Sequence, residues 1–447
     1  MASGELVDLA RRALGWAAEG EEVEVYLTRG ESLVVQAYEG EVESLSSAAT
    51  TGAGLRVVTG RRQGFAWTAS LEEAALAEAM GEARENAAFG EPAEWNGLAE
   101  PDGVAVPEVD VDRPGLAAVP REAKIGLALS LEEAVRAADR RIKGVRGVIY
   151  GEDRTERAVA STTGIEAWGR SGSCGLSVTA MADDGSGTRT GGGSASGREP
   201  TELDVEAVAG EAATKALRLL GATKPASRRL TVVLEPEVTA AFVGILGRLV
   251  SGMAVLKGRS LFAGRLDQRV AADVFSLTDD PTDPRGFGAM AQDAEGLASR
   301  RNLVIDAGIL RGFVYDGATA RRAGTRPTGS AVRSYQTLPA PGCRALALAA
   351  GPTPVAELIA GIDDGLLVQA VKGLHSGVNS VSGDFSVGAD GLRIRSGRLA
   401  EPVAGVTVAS SLPRMLLDVS AVGSERRRFG PTTVPALVVS EMAMAGA

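Results

Sequence analysis

EVEVYLTRGESLVVQAYE, residues 22–39, alternates apolar and polar side chains through two β-branched runs. A half-buried strand requires that period of two, because successive side chains point to opposite faces of a sheet. The pattern predicts strands over 22–29 and 32–39, with Gly30 and Gly40 as turns. Further strands are expected at 41–50, 54–60 and 63–68. MASGELVDLARRALGWAAEG (1–20) precedes them with amphipathic helical spacing, and Ser70 with Glu73 reads as a capping box for a helix over 71–88.

Pro92, Pro101, Pro107, Pro114 and Pro120 then break any regular element and mark an irregular connector. Helical spacing resumes over Arg121–Arg140. Strands follow at 143–150, 156–161, 165–181 and 187–195, with Asp183, Asp184 and Gly185 as a hairpin turn and a helix over 202–220. Helix, meander and helix have recurred, and TTGAGLRVV (50–58) faintly resembles SGSCGLSVT (171–179), which is compatible with internal duplication of 1–90 and 120–222.

GATKPASRR (221–229) reads as an exposed linker that separates an N-terminal domain, 1–222, from a C-terminal one, 230–447. LTVVLE (230–235) is a buried-strand run, and Pro236 opens a helix. Its Val238, Ala241, Phe242, Ile245, Leu246 and Leu249 share one face. Beyond residue 255 glycine-punctuated strands dominate: NLVIDAGILRGFVYD (302–316) with a hairpin at Ala307-Gly308, then 366–372, 384–394, 402–409 and a buried strand within VPALVVSEMAMAG. The expected class is α+β, a helix and antiparallel-meander α/β region followed by a β-rich C-terminal domain.

Composition narrows the function. The net charge of −10 and the lack of a sustained basic run argue against capture of nucleic acid. No stretch is apolar for the roughly 18 to 20 residues that a membrane helix needs, and the first helix is too interrupted by charge for a signal peptide. Cys174 and Cys343 are the two cysteines, which excludes a disulfide framework and points to the cytoplasm.

His375 is the single histidine, so a zinc motif that needs two imidazoles on one helix is excluded. Asp183-Asp184, Asp279-Asp280 and Asp363-Asp364 could bind Mg²⁺ or Ca²⁺ as carboxylate pairs, but each sits beside Pro or Gly and fits a solvated turn better. A serine nucleophile has no G-x-S-x-G elbow. GMAVLKGRS (252–260) fails the phosphate-loop spacing and reads as a strand-to-loop passage; the glycines of GSGTRTGGGSASG (185–197) suit a close approach of chains or a flexible hairpin.

Together DDP (279–281), DAEG (293–296), GILRGFVYDGATARRAG (308–324), Thr328-Gly329, GLHSGVNSVSGDFSVGADG (373–391) and PVAGVTV (402–408) resemble the TldD/PmbA family over nearly the whole chain. That family has two kinds of subunit, one with a metal-binding H-E-x-x-x-H helix and one, TldE or PmbA, without it. EVTAAFVGILGRLV (237–250) has no histidine, so the chain is similar to the second kind, and no catalytic or metal residue carries over. The resemblance implies a TldD-like H-E-x-x-x-H partner that carries zinc, a heterodimeric peptidase for unfolded or modified peptides, and no cofactor in this chain.

In that setting His375, Ser376, Asn379, Asp384 and Ser386 are the expected substrate or interface contacts. A peptide gripped as an added strand would supply backbone hydrogen bonds for many sequences alike. Ser330 and Ser410-Ser411 stand where the family usually has asparagine and glycine-asparagine, and Cys343 replaces a customary polar residue. These departures keep two alternatives open, a subunit of a dedicated natural-product hydrolase and a non-enzymatic peptide-binding homodimer.

Overall fold

The computed structural model describes residues 4–374, 377–379 and 382–446. Elements of seven residues or more are labelled here in chain order. The first half runs α1 (Glu5–Leu14), β1 (Glu22–Tyr38), β2 (Glu41–Thr59), β3 (Arg62–Thr68) and α2 (Glu73–Phe89), then α3 (Arg121–Ala137), β4 (Ile142–Ser161), β5 (Glu166–Ala182), β6 (Arg189–Gly197) and α4 (Val205–Leu217). All six strands form one antiparallel sheet in the order β3-β2-β1-β4-β5-β6. The leading strand of each series, β1 or β4, pairs with the other at the centre.

Alternation along β1 decides which face is covered. Val23, Val25 and Leu27 are buried with residues of α1 and α2, and Leu33, Val35 and Ala37 with residues of α3 and α4. Tyr26, on the other face, packs with Val159, Ile165, Ala167 and Leu297. Glycine lets the helices lie close: a Cβ on Gly64 would fall 2.0 Å from the Ala83 carbonyl oxygen of α2, and one on Gly193 would fall 2.2 Å from the Val208 oxygen of α4. Of the 185–197 glycines, Gly191 and Gly193 therefore serve close approach, while Gly185 and Gly187 take positive φ in the open hairpin turn.

Several strand ends differ from the expectation. Gly30 is no turn: β1 passes straight through it, paired with Thr50 and Thr155, and a Cβ there would meet Thr50 Oγ1 at 2.8 Å. The expected pairs of short strands at 41–60 and 143–161 are likewise single long ones, β2 and β4. The hairpins fall at Glu39-Gly40 and Gly60-Arg61, all four residues at positive φ as a two-residue hairpin turn requires. The capping box also fails, because Glu72 is the N-cap of α2 without a side-chain bond, and Ser70 Oγ accepts from the Glu72 amide instead.

The second half comprises β7 (Arg228–Leu234), α5 (Pro236–Leu249), α6 (Gly317–Ala323), β8 (Asp364–Lys372), β9 (Asp384–Arg395), β10 (Arg398–Ser411) and β11 (Leu437–Ala445). β10-β9-β8-β7-β11 is a ring that closes where Thr407, Val408 and Ala409 of β10 pair with Ala445, Met444 and Ala443 of β11. Val232, Val368, Val387 and Val439 share one core with α5, whose Phe242 ring lies 5.0 Å from that of Phe385. More than one face of α5 is buried, since Thr239, Ala240, Val243 and Gly247 are covered as well.

A second sheet of short strands, 277–279, 302–306, 309–310, 346–348, 427–429 and 432–434, packs against α5. Its hairpin is at Ala307-Gly308, both at positive φ, as the sequence predicts. Residues 252–256 make a helical turn where a strand-to-loop passage was expected. The fold is α+β with a closed barrel. No helix among the described residues is long and apolar enough to cross a membrane.

Candidate functional site

With the helices on one face of the six-stranded sheet, the alternate residues of β4 face the other way. Asp153, Thr155 and Arg157 are directly paired with Ser173, Ser171 and Gly169 of β5. Above them sit segments 287–292 and 343–344, and the cleft between holds cavities of about 430 and 520 Å³ that share Ser171 and Arg344 in their walls. The larger is also lined by Cys343, and the smaller by Trp168, Arg157 and Arg333.

Arginine dominates the smaller cavity. The Arg333 side chain is fully buried, ion-paired with Glu24 and stacked over the Tyr26 ring at 4.8 Å. Arg157 donates to the Gln292 carbonyl and the Met290 sulfur. Burial lowers its pKa. Arg344 falls to about 10, first through burial and then through the charge of Arg157, and its buried Nε has no hydrogen-bond partner. Asp279 fixes this corner: its Oδ1 accepts from the Arg344 amide at 2.8 Å and the Ala345 amide at 2.6 Å.

Asp279 is wholly buried, which corrects the solvated-turn reading, and burial pushes it up to about 6 against those two bonds. Asp183-Asp184 is a solvated turn as expected, each carboxylate accepting from an amide two residues on. Asp364 instead pairs with Arg228 at 2.7 Å and with Arg393. Cys174 and Cys343 are unpaired, and burial raises both thiols, Cys174 to about 12. Neither is a ready thiolate.

Family models described as PmbA/TldA metallopeptidase domain 1, central domain and C-terminal domain match residues 23–87, 114–220 and 227–446. The chain belongs to the PmbA/TldD metallopeptidase family. It is 26% identical to the metalloprotease PmbA homologue of Haemophilus influenzae over 98% of this chain and 96% of that one, and 27% identical to the TldD homologue of the same organism over 89% and 84%. A Methanothermobacter thermautotrophicus metalloprotease is 31% identical over 56% of each chain. In fold it is similar to TldE from Thermococcus kodakarensis, with a TM-score of 0.89, 22% identity and coverage of 98% and 99%.

The family's motif residues form a buried scaffold on the same open face of the sheet as the cleft. Asp293 accepts from the amides of Glu295, Leu297 and Ala331, and Glu295 accepts from the Gly317 amide at 2.7 Å and faces Arg56 at 3.5 Å. Burial raises both carboxyls above the usual range; Arg56 opposes this at Glu295, while Asp316, Asp293 and Glu24 reinforce it. Asp316 and Thr319 build a reciprocal capping box on α6, and Arg321 holds the Trp95, Gly97 and Leu98 carbonyls of the connector. Ser330 Oγ accepts from Thr328 and Asn302.

Of the expected contact residues, His375 and Ser376 lie outside the described residues. Asn379, Asp384 and Ser386 are exposed at the start of β9. Asn379 donates its amide to the Asp384 carbonyl, Ser382 Oγ bonds the Asp384 carboxylate at 2.8 Å, and the Ser386 amide bonds the Gly377 carbonyl. None of the three lines either cleft cavity. Arg157, Arg333 and Arg344 escaped the sequence reading because Arg157 is remote in the chain from the other two, although the alternation of Asp153, Thr155 and Arg157 was a usable signal.

The metal that the metallopeptidase description implies does not fit α5. Its only carboxylate, Glu237, is half exposed at the first turn and bound to Lys215 at 2.9 Å, while Val238, Phe242, Val243 and Leu246 turn into the core. Among the described residues no three His, Cys, Asp or Glu side chains are grouped to hold a metal.

Proposed function

We propose that this chain is the metal-free subunit of a two-subunit TldD/TldE-type peptidase, and that its cleft forms part of the channel for an extended peptide. The observation that carries the reading is the apolar α5, which follows β7 where the metal-bearing subunits of the family place their H-E-x-x-x-H helix, and offers no ligand. In this reading the partner holds the zinc, residues 1–222 and 230–447 are two domains, the first duplicated, and the complex works in the cytoplasm. Purified alone, the chain should bind no stoichiometric zinc by elemental analysis and cleave no peptide; with an H-E-x-x-x-H paralogue it should co-purify as an active pair. Chelator-sensitive cleavage by the isolated chain would overturn the proposal.

A further inference from the structure

Every carboxylate around the smaller cavity is already engaged. Asp112 faces Arg170 and Arg154, Asp110 pairs with Arg113, and Glu24 pairs with Arg333. Asp279 and Asp293 are held by backbone amides. Arg157 and Arg344 are left over: neither has a carboxylate within ion-pair distance among the described residues, burial disfavours the charge of both, and the charge of Arg157 adds to this at Arg344. Two partly buried like charges, with the Arg344 Nε unused, are costly on their own and become favourable once an anion lies between them.

The same wall offers a strand edge. β6 pairs with β5 only from Cys174 onward, so residues 166–173 have no strand on that side among the described residues. Arg198 takes the Gly172 carbonyl at 3.0 Å, and connector residues 109–112 line the cavity without a backbone hydrogen bond to β5. A chain laid along this edge would meet Arg157 and Arg344 at the cavity.

We propose that Arg157 and Arg344 form a carboxylate-binding subsite for an extended peptide, taking either its C-terminal carboxylate or an acidic side chain. A planar guanidinium pair matches a carboxylate through two-pronged hydrogen bonds, which a lysine pair would not. The inference rests on the peptide-channel reading of the cleft and names the class of peptide it selects.

Calorimetric titration of the full chain tests it with four probes: acetyl-pentaalanine as free acid and as amide, and acetyl-Ala-Ala-Glu-Ala-Ala-amide with its Gln counterpart. One or both acidic probes should bind at least tenfold tighter than their neutral partners, and the member of the pair that does so identifies the source of the carboxylate. Arg344→Gln and Arg157→Gln should each erase that preference while changing the neutral peptides less than twofold, and Arg344→Lys should keep part of it. Equal affinity for acidic and neutral probes overturns the subsite on the unmodified chain, whatever the variants do. So does an undiminished preference in Arg344→Gln, or equal competition by inorganic phosphate. Any of these results beside an intact mixed complex would remove the subsite and leave the subunit assignment standing.

Discussion

Asp279→Asn isolates the energetic consequence of burying a carboxyl at the corner of the cleft. The side chain titrates near 6 in the fold and at 3.8 when free, because burial outweighs the two amides that hold Oδ1. Between those values the folded state keeps a proton that the unfolded state has lost, so stability falls as pH rises and levels off above about 7. At 1.36 kcal/mol per pH unit the whole loss is about 3 kcal/mol, of which about 2 kcal/mol falls between pH 4.5 and 7.5. Asparagine keeps the carbonyl oxygen for both amides and cannot titrate. At low pH its Nδ2 replaces a protonated Oδ2 that is equally without a partner, so the two proteins should start close together. Urea unfolding of both at pH 4.5, 5.5, 6.5 and 7.5 should show the variant gaining on the wild type by about 2 kcal/mol. Asp293 and Glu295 also carry raised pKa values, but they are present in both proteins and cancel in the difference. A gap that stays constant, or that widens in favour of the wild type with rising pH, would refute the assignment.

Other substitutions test separate parts of the structure. Gly193→Ala would force α4 off β6 against the Val208 carbonyl and should cost about 3 kcal/mol, read as a lower thermal midpoint. Arg56→Met removes the cation that faces buried Glu295, while Glu24 keeps Arg333, and should destabilise by about 3 kcal/mol in chemical unfolding. In a complex with a zinc-bearing partner, His375→Ala should weaken peptide cleavage or assembly while the zinc content stays unchanged; loss of zinc would contradict a contact role for His375.

Local pattern was readable where one residue spacing determines one structure. Helices α1 to α5, the Ala307-Gly308 hairpin and the outlines of β7 to β11 follow from periodicity and turn chemistry, whereas α6 and the helical turn at 252–256 do not. Gly30 was not readable, because a glycine that admits a neighbouring Thr50 side chain and a glycine that makes a turn look alike in sequence. Barrel closure was hidden for another reason, since the pairing of Val408 with Met444 joins residues remote in the chain. The cleft arginines share that remoteness. The family motifs carry the resemblance but not their own role: Asp293, Glu295 and Asp316 all accept backbone hydrogen bonds inside a scaffold, which only the folded arrangement reveals.

Closure of the ring also has a consequence for the order of events at the ribosome. β7 is made early in the second half, yet both it and β10 find their β11 partners only after residues 437–445 have been synthesised. Until then one flank each of β7 and β10 lacks its partner, so the ring cannot close before residue 445 has been made. The first half has no such dependence, since all six strands of its sheet are made by residue 197. A nascent chain arrested near residue 430 should therefore carry a protease-resistant first half and a sensitive second one.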